Sequence, residues 1–410
     1  MQGWDIWKEY AIMFDGAIGF APEVEYITDF DAKDEFQGIR ALTYSCINYC
    51  GKPTKVFAYI GYPSEGEHLP AVVLVHGGNG TAFLPWIRDW NKHGYAAIAM
   101  SITGDFPLET NAGSTERGCL QKWNRGLFGV FNAEGFSNSP LPDYEMNNED
   151  IDIENQWIYH AVSQVIVAGN ILRNDTRIDS EKIGLVGISW GANIISILIG
   201  HDNRFAFAVP IYGSGYLTES YGYMGKVFSK AGNHIWLAEK YFKNVTMPVL
   251  WLCWNSDIPF SVNSNSKSYQ ETVKINPDTR ISIINEMGHS HVHAWARKEP
   301  YFFADSVINH FTRLPYFKKK NGGYKVINCD GTRINIIKLY YMESPIEYIP
   351  DDSGTKSHLS GQWKTVELEA VDKVENYIFP TGMKVGYFEI TIECNNIEYV
   401  TTSELFTEPE

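Results

Sequence analysis

The sequence predicts an α/β fold, a doubly wound and mostly parallel sheet over residues 36–314, followed by a small C-terminal β-sandwich over residues 315–410. Three observations predict it. Short, nearly continuous apolar runs recur between Leu69 and Phe311, as expected of strands covered on both faces by helices. Helical patterns separate those runs. Beyond Leu314-Pro315 the texture changes to period-two strands with turn residues between them.

Residues 1–35 read as an aromatic, acidic leader. Two alternating runs follow, Ile39 to Tyr49 and Val56 to Tyr62, and their junction at Gly51-Lys52-Pro53 predicts an antiparallel hairpin. The core strands are expected at 71–75, 96–100, 183–187, 206–209, 248–253 and 281–284. Phe83, Trp86, Ile87 and Trp90 fall at i, i+3, i+4, i+7, a helix that His93-Gly94 stops. Ile158, Ala161, Val162, Val165 and Ile166 repeat that spacing. Residues 104–156 break the rhythm with Gly, Pro, Asn and aromatics, including Trp123, Phe128, Phe131 and Phe136, and predict a lid or pocket wall. In the tail, strands are expected at 324–328, 333–341, 365–371 and 387–394, with turns at Asp330-Gly331 and Asn395-Asn396.

A chain of 410 residues suggests two or three folding units at about 150 residues each. Hydrophobic residues at 44% and charged residues at 20% describe an ordinary globular protein, with no apolar run of about 18 residues to span a bilayer. The formal charge of −15 repels phosphate backbones and anionic lipid, so no nucleic-acid or membrane partner is expected, and a neutral or sugar-like one is. Six cysteines without C-x-x-C spacing read as free thiols. The first residues show no basic stretch leading into an apolar one, so a cytoplasmic location is expected, or an exported one if a signal peptide has been removed.

The most informative stretch is Gly187-Ile188-Ser189-Trp190-Gly191, a G-x-S-x-G between an apolar strand and an apolar helix. A serine on that tight turn lifts its hydroxyl above the sheet, and the flanking glycines permit backbone crowding that a Cβ would block. Ser189 is therefore the candidate nucleophile. It needs a base and an orienting carboxylate, which in this topology follow in the order Ser, Asp, His after later strands. Asp257 follows the 248–253 run, and Glu286-Met287-Gly288-His289-Ser290-His291-Val292-His293 follows the 281–284 run. His289 comes first, directly after Gly288, and is the expected base; His291 is the alternative. Three histidines at i, i+2, i+4 also suggest a metal cluster, but no Cys or carboxylate stands at ligand spacing, and neither metal nor cofactor is expected. Oxyanion donors are expected from the amides of Gly78 and Asn79, in the Gly-rich His76-Gly77-Gly78-Asn79-Gly80, and of Trp190. His76, Trp123 and His291 are expected to contact substrate.

These motifs together resemble the α/β-hydrolase superfamily, in particular its dienelactone hydrolase-like and acetyl xylan esterase-like members. The resemblance rests on residues 76–83, 187–191, 255–257 and 287–291 and spans about 36–311. It implies hydrolysis of a carboxylic ester, with acetylated plant cell-wall sugars as the suggested substrate, and a β-rich accessory tail. Dienelactone hydrolases proper use a cysteine nucleophile; Ser189 departs from them. Ser101-Ile102-Thr103-Gly104-Asp105 departs as well, since many relatives begin that loop with Asp. Two other functions compete: a serine peptidase of the prolyl-oligopeptidase type, and a non-catalytic carbohydrate-binding protein with a vestigial site. Turnover of a chromogenic acetyl ester separates the esterase from the non-catalytic protein.

Overall fold

The computed structural model describes residues 13–116, 119–124, 143–310, 312–320, 323–329, 332–350, 357–368, 373–375 and 380–407. The chain forms two compact units, Met1–Gly213 with Val227–Met247, and Ser214–Lys226 with Pro248–Glu410. This division does not fall at the boundary expected near residue 314, because the second unit joins the last α/β elements to the β-rich tail.

In the first unit, β1 (Val24–Tyr26), β2 (Arg40–Tyr49), β3 (Lys52–Gly61), β4 (Leu69–Val75), α1 (Leu84–Lys92), β5 (Ala96–Met100), α2 (Trp157–Asn174), β6 (Ile178–Ile188), α3 (Trp190–Leu198) and β7 (Phe207–Ile211) follow in order. Its sheet runs β1-β2-β3-β5-β4-β6-β7. The first three neighbouring pairs are antiparallel and the last three parallel. Val73 sits at the centre, opposite Ile98 on one side and Leu185 on the other, and all three are fully buried. Such two-sided burial is why these strands read as unbroken apolar runs. The expected hairpin is β2–β3. Strand β1 was not foreseen: its three residues are exposed, and only its ladder with Leu42 to Tyr44 makes it a strand. Within 104–156, Phe106–Pro107 pairs with Trp123–Asn124. Phe128, Phe131 and Phe136 lie outside the described residues.

The second unit holds β8 (Leu250–Trp254), α4 (Val262–Ile275), β9 (Arg280–Ile284), α5 (His291–Trp295) and α6 (Glu299–Ile308), with β8 and β9 parallel. Its tail contains β10 (Tyr316–Lys320), β11 (Gly323–Ile327), β12 (Arg333–Met342), β13 (Tyr348–Pro350), β14 (Ser357–Leu359), β15 (Lys364–Leu368), β16 (Lys373–Glu375), β17 (Val385–Cys394), β18 (Ile397–Thr402) and β19 (Phe406–Thr407). Strands β10-β11-β16 form one antiparallel sheet and β15-β12-β17-β18 another, with β19 also on β17. Phe317 and Tyr324 from the first sheet meet Phe388 of the second at ring separations of 5.8 and 5.7 Å. The β17–β18 turn is Asn395-Asn396, both at positive φ, as a two-residue hairpin turn demands. The Asp330-Gly331 turn lies outside the described residues.

On its side away from β8, β9 meets hydroxyls rather than a ladder. Thr402 Oγ1 accepts from the Ile283 N–H at 3.2 Å and donates to the Ile281 carbonyl at 3.4 Å, while Ser282 Oγ donates to the Val400 carbonyl at 2.7 Å. Among the described residues, no helix is long and apolar enough to cross a membrane. Cys46, Cys50, Cys253, Cys329 and Cys394 are free thiols.

Candidate active site

In the first unit the end of β6 turns abruptly into α3, and Ser189 stands on the turn at φ 57 and ψ −119. A non-glycine residue rarely adopts this conformation, and here the surroundings hold it. The Ser189 N–H donates to the Ile211 carbonyl of β7 at 2.9 Å. A Cβ on Gly187 would come 2.5 Å from the Gly191 carbonyl oxygen, and one on Gly191 would come 2.1 Å from that of Val75. Only glycine fits either place.

The loop after β4 lies against this turn. Asn79 has φ 58, and the Gly80 N–H donates to Gly77 O at 3.0 Å, closing the loop on itself. Gly78 lies beside the Trp190 ring, whose Cδ1 would be 3.3 Å from a Cβ there. His76, expected among the substrate contacts, is buried at 1% exposure. Its Nε2 accepts from the Ile102 N–H at 3.1 Å, which puts the proton on Nδ1 for donation to Gly77 O at 2.7 Å. The ring thus braces the loop against the segment after β5. Trp123 is also buried, edge-on to Phe57, and its indole N–H has no partner among the described residues. The unusual 101–105 loop is internally tied, with Thr103 Oγ1 donating to Asp105 Oδ2 at 2.6 Å and the Asp105 N–H to Ser101 Oγ at 3.3 Å.

Sequence reasoning missed Tyr144. Its hydroxyl accepts from the Asn79 N–H at 3.4 Å, and its ring lies 5.3 Å from Trp157 and 5.8 Å from Trp190. Its position inside the 104–156 insertion was the only signal available.

In the second unit, Asp257 is fully buried just past β8. Its Oδ1 accepts from the Phe260 N–H at 2.8 Å, and its Oδ2 lies 2.5 Å from His289 Nδ1. A buried carboxylate needs such partners, and this one fixes the imidazole tautomer, Nδ1 protonated and Nε2 basic. The His289 ring lies parallel to Phe260 at 6.3 Å. Gly288 has φ 76, and a Cβ there would come 2.8 Å from His293 Nδ1, so the turn delivering His289 requires glycine. His291 is buried in the first turn of α5, and the Ser290 hydroxyl caps that helix at the His293 N–H. Among the described residues, no group of His, Cys, Asp and Glu is arranged to hold a metal. Cys253, near Asp257, is fully buried, and burial pushes its thiol well above the ordinary range.

Residues 142–307 match the dienelactone hydrolase family. The matched segment contains Ser189, Asp257 and His289, and the mostly parallel sheet with its Ser189 turn is an α/β-hydrolase-like fold. The chain is similar to an acetyl xylan esterase from Thermoanaerobacterium sp., at 15% identity and a TM-score of 0.49 over 73% of this chain and 93% of that one. A similar protein from Paenibacillus sp. R4, also an acetyl xylan esterase, gives 14% identity and a TM-score of 0.46 over 71% and 90%. An acylaminoacyl peptidase from Pyrococcus horikoshii gives 17% and 0.43 over 67% of this chain, which spans 43% of the peptidase. No curated protein sequence matches the chain.

Proposed function

We propose that the chain is a serine carboxylic-ester hydrolase. The observation that carries this reading is the His289–Asp257 pair, in which a buried carboxylate holds Nδ1 and leaves Nε2 as the proton acceptor. Ser189 on its strained turn is the nucleophile that such a base serves. In this reading Ser189 Oγ bonds to the ester carbonyl carbon while its proton passes to His289 Nε2. The oxyanion is received by the amides of Gly78, Trp190 and Asn79, the last released from the Tyr144 hydroxyl. Collapse breaks the acyl–oxygen bond, and the imidazolium returns the proton to the departing alcohol. Water then repeats both steps on the acyl-enzyme, releasing the acid and restoring Ser189.

For substrate we propose an acetyl ester of a carbohydrate or another small neutral ester. The −15 charge supports this by disfavouring anionic partners. The test is Ser189→Ala assayed on 4-nitrophenyl acetate, with a panel of acetylated sugars and aminoacyl amides given to the unaltered protein. The variant is expected to fold and to lose about 10³-fold or more in kcat. Retention of a tenth of the original rate removes Ser189 from the mechanism, and turnover of amides in preference to esters makes the protein a peptidase.

A further inference from the structure

The turn carrying Asp257 is secured by side chains that come far later in the chain. The Asp257 carbonyl accepts from the Tyr348 hydroxyl, and the Asn255 carbonyl accepts from the Trp363 indole N–H at 3.2 Å. Asn255 is itself fully buried and spends both Nδ2 hydrogens, one on Asn285 Oδ1 at 2.9 Å and one on the Tyr387 hydroxyl at 3.2 Å. Tyr387 is fully buried, stacked on Tyr340 at 5.1 Å and edge-on to Trp363 at 5.3 Å. Asn285 opens the turn that leads through Gly288 to His289. One asparagine amide therefore joins the acid's turn to the base's turn, and three aromatic residues of the β-rich tail hold that asparagine and its neighbour in place.

We propose that Tyr348, Trp363 and Tyr387 are positioning residues for the Asp257–His289 pair, so that the tail is part of the catalytic apparatus without touching substrate. This rests on the hydrolase reading above. Tyr348 suits the task because burial, and then the nearby Asp257 charge, push its phenol far up, keeping it a neutral donor. A hydrogen bond from a phenol to a main-chain carbonyl fixes where the carbonyl lies, and Asp257 has few ways to move once its own backbone is held. Positional errors of this kind act on rate rather than on substrate affinity.

The experiment uses full-length Tyr348→Phe, Trp363→Phe and their double variant, with Asp257→Asn as comparator. Tyr324→Phe is the control, its hydroxyl bonding only Glu404 within the tail among the described contacts. Each is assayed on 4-nitrophenyl acetate, with active sites titrated by a fluorophosphonate. The single variants are expected to lower kcat per titrated site about fivefold to tenfold with KM unchanged, and the double variant further. Tyr324→Phe keeps its kcat per titrated site. A purely structural role would lower the titre and leave kcat per site intact; that result overturns the proposal. If Asp257→Asn loses about 10³-fold or more while the tail variants lose nothing, the positioning role alone fails. If Asp257→Asn retains full activity, the acid assignment fails and the positioning role with it. Should the double variant not fold, Tyr348→Phe, which deletes a single oxygen, decides the question.

Discussion

Gly191→Ala puts the crowding behind Ser189 to a direct test. The new Cβ would lie 2.1 Å from the Val75 carbonyl oxygen and 2.5 Å from that of His76. A carbon and a carbonyl oxygen settle at no less than about 3.2 Å, so the shortfall is about 1 Å against two backbone atoms at once. The Val75 carbonyl cannot retreat, since Val75 is laddered to Met100 on one side and to Gly187 on the other, and His76 is tied through its ring to the Ile102 N–H. The displacement therefore falls on the Ser189 turn or on the loop of Gly78 and Asn79. Overpacking of this size costs about 1–3 kcal/mol of stability. A separation error near 1 Å between nucleophile and oxyanion donors costs about 10²-fold in kcat. Gly16→Ala is the matched control, because a Cβ there meets nothing within 4 Å. Both variants would be compared in kcat/KM on 4-nitrophenyl acetate and in thermal unfolding. A folded Gly191→Ala protein with a rate within about threefold of the original would refute the argument, since the Ser189 turn would then tolerate the shift.

Three further outcomes are expected. His289→Ala lowers kcat by about as much as Ser189→Ala, whereas His291→Ala costs far less; inactive His291→Ala beside active His289→Ala would reassign the base. His76→Ala leaves the buried Ile102 N–H without its acceptor and costs about 1–3 kcal/mol in denaturant unfolding, with kcat falling as the loop loosens; an unchanged midpoint would show that the brace is dispensable. Burial pushes Glu389 up to about 7 against the opposing charges of Lys338 and Arg297. Being raised above its unfolded value, this carboxyl binds more protons in the folded state between about pH 4.5 and 7, so stability falls as pH rises through that window. Glu389→Gln is expected to remove that slope and to be the more stable protein at pH 8 by about 3 kcal/mol, checked by urea unfolding across pH.

Strands buried on both faces were legible because burial dictates composition directly, as in Ala71 to Val75 and Ala96 to Met100. Helix α4 was not, since beside Val262 and Tyr269 its buried residues are the polar Ser264, Asn265, Ser266, Ser268 and Thr272. Ser268 and Thr272 satisfy their hydroxyls on the carbonyls of Ser264 and Ser268, four residues back, and so carry no apolar period. Ser189 announced itself through its glycines, which backbone crowding requires. Asp257 and His289 were singled out by chain order, and their side chains meet. Tyr348, Trp363 and Tyr387 were invisible, because their bonds reach 91, 108 and 132 residues along the chain and leave no local signature. The backbone bonds of His76 were not legible, because a histidine beside glycines looks the same in sequence whether its nitrogens face a ligand or the backbone.

The hydroxyls of Thr401 and Thr402 along β9 have a consequence for self-association. A strand with open amides and carbonyls on one side is a template on which another chain can add a strand, and sheet proteins avoid this by covering or charging their edges. Here the Ile281 carbonyl and the Ile283 N–H are taken up by side chains from β18, so the outward side of β9 offers no ladder to a stranger. Proteolysis that removed β18 would uncover an apolar strand, Ile281 to Ile284, with its backbone groups unmet. Such a fragment is expected to aggregate through that strand even with every other element intact, which makes the tail a guard of solubility.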